Sequence, residues 1–235
     1  MRLTLDDISS FSRCPRYYQN LKGYIFPKSR RQSIIEKVIR RAYTRRTEYE
    51  KKSEWKSVIG WIDREVFRDV DVENEESFRA ARGLSESILV FIQKWYEFDY
   101  IRNTDPSYLD VPVTYDFVSH IVVGTIPLVH VQETPVITYI DELDYDSLKI
   151  YNDIKVMGWA GMLTDQLGLD QVKVRHLVIG PKSGLSSTPA IIKKDSCKAI
   201  KETIKEIAYS IAAGVSYPSY TEACGTCPFR KGCRI

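Results

Sequence analysis

Long apolar runs are missing from this chain of 235 residues: no stretch approaches the roughly 20 consecutive apolar residues of a membrane-spanning helix. The opening MRLTLDDISSF has neither a basic region nor an apolar core, so no signal peptide is expected. An excess of one charge is lacking too. Lys and Arg number 34 against 31 Asp and Glu, and the net charge of +3 does not by itself argue for nucleic acid. Neither an internal repeat nor a low-complexity segment is visible. Cysteine is present in an odd number, five, with no secretion signal, which argues against a disulfide framework. The expectation is a protein of a reducing, cytoplasmic compartment with no membrane partner. Its length and its 43% hydrophobic content suit one domain, 1–235, with a sizeable core and no need of disulfides.

Two patterns divide the chain. Thr4 or Asp6 caps a short helix carrying Ile8, Phe11 and Tyr18. Residues 28–50 place Ile34, Ile35, Val38, Ile39 and Ala42 at helical spacing. Helices are also expected over 53–70, with Trp55, Ile59 and Val66, and over 76–100, with Phe78, Leu84, Ile88, Phe91, Ile92, Trp95 and Phe98. Residues 28–105 therefore read as a helical lobe. Beyond them VPVTYDF (111–117), HIVVGTIPLVHV (120–131) and PVITYIDEL (135–143) are β-branched and aromatic, an antiparallel meander. A helix at 146–167, a strand at 172–180, a loop at 180–189, a short strand at 190–192 and a helix at 195–213 complete an α/β core of about 110–215.

The tail holds Cys224, Cys227 and Cys233 as C-x2-C-x5-C, and Cys14 lies in FSRCPRYY. A cluster of iron and sulfur needs four thiolates converging on one point, three of which a single loop can supply. Prolines follow Cys14 and Cys227 and stop regular structure there. Zinc can use the same four thiolates, although its sites more often pair two short knuckles. Spacing favours the cluster and leaves zinc open. Cys197 is expected to be a small buried hydrophobe.

At these residues the chain resembles a known family. FSRCPRYYQNLKG and CGTCPFRKGC are similar to the two iron-binding segments of RecB-like and AddB-like PD-(D/E)XK nucleases. The resemblance spans the whole chain. It implies an α/β fold with a PD-(D/E)XK nuclease-like central mixed sheet flanked by helices, an N-terminal helical lobe, and a [4Fe-4S] cluster on Cys14, Cys224, Cys227 and Cys233 stapling the termini. The family's catalytic pattern is G-x-(I/V)-D on one strand, D-x-K or E-x-K on the next, then a Q-x-x-x-Y helix. Its acidic residues hold Mg²⁺ and its lysine orients water at a phosphodiester.

Laid on that frame, GTIPLV (124–129) has Pro127 where the aspartate belongs. VITYIDE (136–142) has Thr138 and Ile140 in place of the acid and the lysine. KVMGW (155–159) has Lys155 for glutamine and Trp159 for tyrosine, and QSIIEKVIRRAY (32–43), matched to the early G-x-x-x-H helix that often carries the family's histidine, has Gln32 for glycine and Glu36 for histidine. Each reactive position is replaced, so no catalytic residue is expected. A second register is literal: Asp141, Asp153 and Lys155 reproduce D-x11-D-x-K and would make an active Mg²⁺ nuclease. Against it, Lys155 would run from a strand directly into VMGWAGMLTDQLG, where a loop of ~2–6 residues is usual. Leu148, Tyr151, Ile154 and Gly158 also repeat at helical spacing.

Basic residues concentrate early. Arg30, Arg31, Lys37, Arg40, Arg41, Arg45 and Arg46 form a candidate phosphate-binding face, joined by Arg16 and Tyr17. Tyr17, Tyr18 and Tyr24, near Arg13, Arg16 and Lys22, are candidates to stack on bases of a single strand. A charge run is as readily a solvated helix face. His120, His130 and His176 fall on strands and are not assigned as ligands, and Asp141, Glu142, Asp144 and Asp146 read as an acidic turn. The expectation is an inactive iron–sulfur protein of nuclease fold that binds DNA, single-stranded or with single-stranded ends. It would serve with other proteins in replication, recombination or transcription. The alternatives are the active nuclease and a protein–protein scaffold with no nucleic-acid role.

Overall fold

The computed structural model describes residues 1–21, 29–44, 52–71, 73–100, 106–141, 147–179 and 185–216, with Ser219, Cys224, Cys227, Phe229 and Cys233. In chain order these form β1 (Arg2–Thr4), α1 (Leu5–Arg13), α2 (Pro15–Leu21), α3 (Arg30–Thr44), α4 (Lys52–Phe67) and α5 (Glu75–Trp95). A π-helical turn, Tyr96–Tyr100, ends α5. Then come β2 (Ser107–Phe117), β3 (His120–His130), β4 (Val136–Asp141), α6 (Ser147–Asn152), α7 (Ile154–Leu167), β5 (Gln171–Ile179), β6 (Leu185–Lys193) and α8 (Lys194–Ala212).

The sheet is mixed, and β3 is its hub. β2 pairs with it antiparallel along its length. The other edge of β3 carries β1, parallel at Leu3↔Val122, and β4, antiparallel at Leu128↔Thr138. β4 and β5 are parallel, joined through α6 and α7, and β6 closes the sheet antiparallel to β5. Side chains alternate between the sheet's faces, and each face has its own core. On one side Leu5 and Ile8 of α1, Val156, Ala160 and Leu163 of α7, and Ile204 and Ala208 of α8 pack on Val122, Ile126, Ile137, Val174 and Ile192. On the other, α3, α4 and α5 bury Ile35, Ile62, Ile88, Phe91, Ile92 and Trp95 against Leu177, with Ile140 at the margin. Each of the larger of these side chains contributes roughly 1.5–3 kcal/mol on burial.

Local chemistry sets the element ends. Thr4 caps α1 in a capping box: its hydroxyl accepts from the Asp7 N–H at 3.1 Å, and Asp7 accepts the Thr4 N–H at 2.8 Å. Leu5 then seats its methyls where two glycines leave room. A Cβ on Gly124 of β3 or Gly158 of α7 would lie 2.7 Å from Leu5. Asp153 separates α6 from α7, so the helix expected over 146–167 is two helices with a cap between them. The Asp153 carboxylate accepts the N–H groups of Lys155 at 2.9 Å and Val156 at 3.1 Å. Gly168, at φ 64°, ends α7 in the left-handed conformation that glycine favours.

Two further features differ from expectation. β6 spans Leu185–Lys193 rather than 190–192, because its pairing with β5 continues past Pro189 on a sheet edge, where the missing N–H is tolerated. β1 is three residues long, too short to leave a readable alternation.

Candidate functional site: the cleft between lobe and sheet

The helical lobe and the sheet enclose a cavity of about 330 Å³. Its walls include Gln32 and Glu36 of α3, Pro127 of β3, Thr138 and Ile140 of β4, and Lys155 and Trp159 of α7. Residues from four separate stretches, matched to the nuclease frame on sequence alone, thus meet around one space.

Pro127, Thr138 and Ile140 stand at the positions matched to the motif's aspartate, second acid and lysine. Pro127 offers no side-chain ligand and no N–H to the ladder. Opposite it in the β2–β3 register stands Asp110, whose φ of 53° makes it the one non-glycine residue with positive φ among the described residues. Its carboxylate ion-pairs with Arg40 across the cavity mouth. Thr138 is 1% exposed, and its hydroxyl accepts from Arg175 Nε at 3.3 Å and Nη2 at 3.1 Å. Arg175 Nη2 also donates to His130 Nε2 at 3.1 Å. A guanidinium only donates, so Nε2 of His130 is the acceptor, and its proton sits on Nδ1, 2.8 Å from Ser107 Oγ. A fixed positive charge therefore lies in hydrogen-bond contact with the residue at the acid's position, and it opposes a divalent cation there. Gln32 spans Glu36 Oε1 and the Ile140 carbonyl, both at 3.2 Å.

Asp141, Asp153 and Lys155 line the same cavity from three different settings. Asp141 ends a strand, Asp153 caps α7, and Lys155 lies in the first turn of α7 with its Nζ 2.5 Å from Asp6. Among the described residues no group of three or more His, Cys, Asp or Glu is gathered tightly enough to hold a metal ion.

The basic stretch is largely engaged within the protein. Arg30 donates to the carbonyls of Glu65 at 3.1 Å and Val66 at 2.9 Å, at the end of α4. Lys37 pairs with Glu65 at 3.4 Å, Arg40 with Asp110, and the Nε and Nη2 of Arg31 are buried. Arg41 is exposed, and Arg45 and Arg46 lie outside the described residues. Tyr18 is a core residue, 9% exposed and edge-on to Phe11 at 5.7 Å, which corrects its reading as a base-stacking platform. Tyr17 sits beside Arg13 and edge-on to Phe229 at 5.9 Å, and burial pushes its phenol up. Arg16 is half-buried on α2, while Lys22 and Tyr24 fall outside the described residues.

The chain's two ends meet at the cysteines. Cys14 Sγ accepts the Ser219 N–H at 3.4 Å, and Cys224 Sγ donates to the Ser219 carbonyl at 3.7 Å. Cys227 N–H approaches the Cys224 carbonyl at 3.4 Å, and Tyr17 feels the Cys227 sulfur. All four terminal cysteines are half-buried and free of disulfides, a thiolate donor set suited in kind to an iron–sulfur cluster, but they are not gathered tightly enough in this structure to hold one. Cys197 is apart from them, 1% exposed, its thiol directed at Thr164 Oγ1 and pushed up by burial.

No protein-family profile and no curated protein matches the chain. Solved structures do. A Eubacterium rectale protein named "putative exonuclease" superposes with a TM-score of 0.54 at 10% identity, covering 100% of this chain and 88% of that one. The fold is thus nuclease-like: a central mixed sheet flanked by helices. A second structure, SSO0001, aligns at a TM-score of 0.39 and 13% identity over 69% of this chain and 79% of its own. Among the described residues no helix is long and apolar enough to cross a membrane.

Proposed function

We propose that this protein is a catalytically inactive member of the RecB-like nuclease group that binds DNA as an accessory subunit of a DNA-processing complex. The observation carrying the reading is the lobe–sheet cavity, where Pro127, Thr138 and Ile140 stand at the motif positions and Arg175 holds Thr138. The nuclease-like fold supports a nucleic-acid ligand by analogy. Exposed Arg41 on α3 is the described cation of the basic stretch best placed to meet phosphate oxygens, with Arg45 and Arg46 following it in sequence.

In this reading Cys14, Cys224, Cys227 and Cys233 hold a [4Fe-4S] cluster. When bound, the cluster supplies a covalent cross-link between residues more than 200 positions apart, in place of catalysis. Cys14 begins the break between α1 and α2, and Ser219 bridges it to Cys224. Closing so long a loop removes entropy from the unfolded chain.

Fluorescence anisotropy with a labelled single-stranded oligonucleotide tests the binding. Affinity should fall steeply with salt, and charge reversal at Arg41, Arg45 and Arg46 should weaken binding and flatten that dependence. No binding at low salt would leave the protein–protein scaffold as the better reading. The active-nuclease alternative draws on one observation, that Asp141, Asp153 and Lys155 share the cavity. Their different settings and the capping role of Asp153 count against it.

A further inference from the structure

A second cavity, about 270 Å³, lies on the far side of Lys155. Arg2, Thr4, Asp6, Thr114, Gly124 and Thr125 are among its walls, and it shares Thr125, Lys155 and Trp159 with the larger one. Lys155 therefore stands at the junction of the two. Its Nζ reaches Asp6 at 2.5 Å and lies 5.3 Å from the centre of the Trp159 ring. The two sides differ in charge. The larger cavity carries Glu36, Asp110, Asp141 and Asp153 against Arg40 and Lys155, four carboxylates to two cations, and so favours a phosphate less than the smaller one does. The smaller carries Arg2 and Lys155 against Asp6 alone, with the exposed hydroxyls of Thr114 and Thr125 close by. Arg2 has no ion-pair partner among the described residues.

We propose that the smaller cavity receives a phosphate of a single-stranded nucleic acid between Arg2 and Lys155, and that Asp6 competes with that phosphate for Lys155. The proposal rests on the nucleic-acid reading above and names the contact. Both charges stand at a solvent-facing rim: the Lys155 side chain is 34% exposed and that of Asp6 73%. An ion pair so exposed is weak and exchanges readily for another anion. A phosphate entering from the Arg2 side meets a bidentate guanidinium, two hydroxyl donors and a lysine whose hold on Asp6 it can replace. Asp6 then acts as a built-in competitor that weakens binding of any ligand lacking a phosphate at this point.

A double-mutant cycle on the full-length protein tests this, read by anisotropy with a labelled single-stranded oligonucleotide. Asp6→Asn should tighten binding roughly two- to fivefold, the range an exposed pair can supply. Lys155→Gln and Arg2→Gln should each weaken it and lower the salt slope by about 0.7, as expected for one lost phosphate contact on a single strand. In the Lys155→Gln background Asp6→Asn should give no gain, and Lys155→Arg should retain binding. Oligonucleotides with and without a 5′-phosphate separate a terminal monoester from an internal diester. The same gain from Asp6→Asn in both backgrounds would mean that Asp6 merely repels DNA and would overturn the competition. Failure of the wild type to bind at low salt would instead remove the nucleic-acid reading itself. Arg2 and Asp6 are exposed and Lys155 is half-buried, so circular dichroism should show unchanged folding for variants at all three.

Discussion

Asp153 distinguishes an inactive cleft from a catalytic one. A metal-binding aspartate can be replaced without loss of stability, whereas replacing a helix cap lowers stability. Asp153 accepts two backbone N–H groups of α7, at 2.9 and 3.1 Å, and α7 is the helix buried from Val156 through Thr164 against the sheet. Removing a cap of this kind costs about 0.5–2 kcal/mol, typically near 1. For a chain of this size that lowers the melting temperature by roughly 2–4 °C per kcal/mol. Asp153→Ala should therefore melt a few degrees below the wild type by circular dichroism. Asp153→Ser and Asp153→Asn should recover most of the loss, because both cap well, although serine has no carboxylate to bind a metal. An Asp153→Ala protein with wild-type stability would refute the capping role. So would a serine variant as unstable as the alanine one.

Gly158→Ala should destabilise by about 1–3 kcal/mol in chemical denaturation, because its Cβ would lie 2.7 Å from Leu5, and Leu5→Val should lessen the added cost. Purified anaerobically, the protein should be brown with about four irons per chain; Cys14→Ser should lose them and Cys197→Ala should keep them. Stoichiometric zinc without iron would contradict this. Burial raises the Tyr115 phenol above its ordinary value of 10.0. The folded state thus holds this proton more tightly than the unfolded one, so its contribution is full below pH 10.0 and declines above it. Urea unfolding at neutral and alkaline pH should show that decline for the wild type and less of it for Tyr115→Phe.

Elements with a strong period were legible before the structure. Ile34, Ile35, Val38, Ile39 and Ala42 of α3 all point inward, as do Ile88, Phe91, Ile92 and Trp95 of α5. The β2–β3–β4 meander follows its β-branched runs. Less legible was anything decided by partners distant in sequence. Arg30, Lys37 and Arg40 read as a phosphate face because their acceptors, the end of α4 and Asp110, lie 28–70 residues away. Arg175 drew no notice on its strand, since nothing local shows that it will reach Thr138 and His130. Asp153 followed by Lys155 is both a cap signal and a nuclease signature, and only the helix that follows tells them apart. The cavity's makeup was the most legible part of the site, since its positions could be matched to a frame before their meeting was seen.

Whether the cleft is inactive is decided by a cleavage assay on DNA that the protein demonstrably binds. Single- and double-stranded substrates are incubated with the cluster-loaded protein in Mg²⁺ or Mn²⁺ and resolved on a denaturing gel. Binding without cleavage is expected, and any trace activity should be unchanged in Asp141→Asn and Asp153→Ser. Metal-dependent cleavage that Asp141→Asn abolishes while DNA binding persists would contradict it, and the cavity would be an active site.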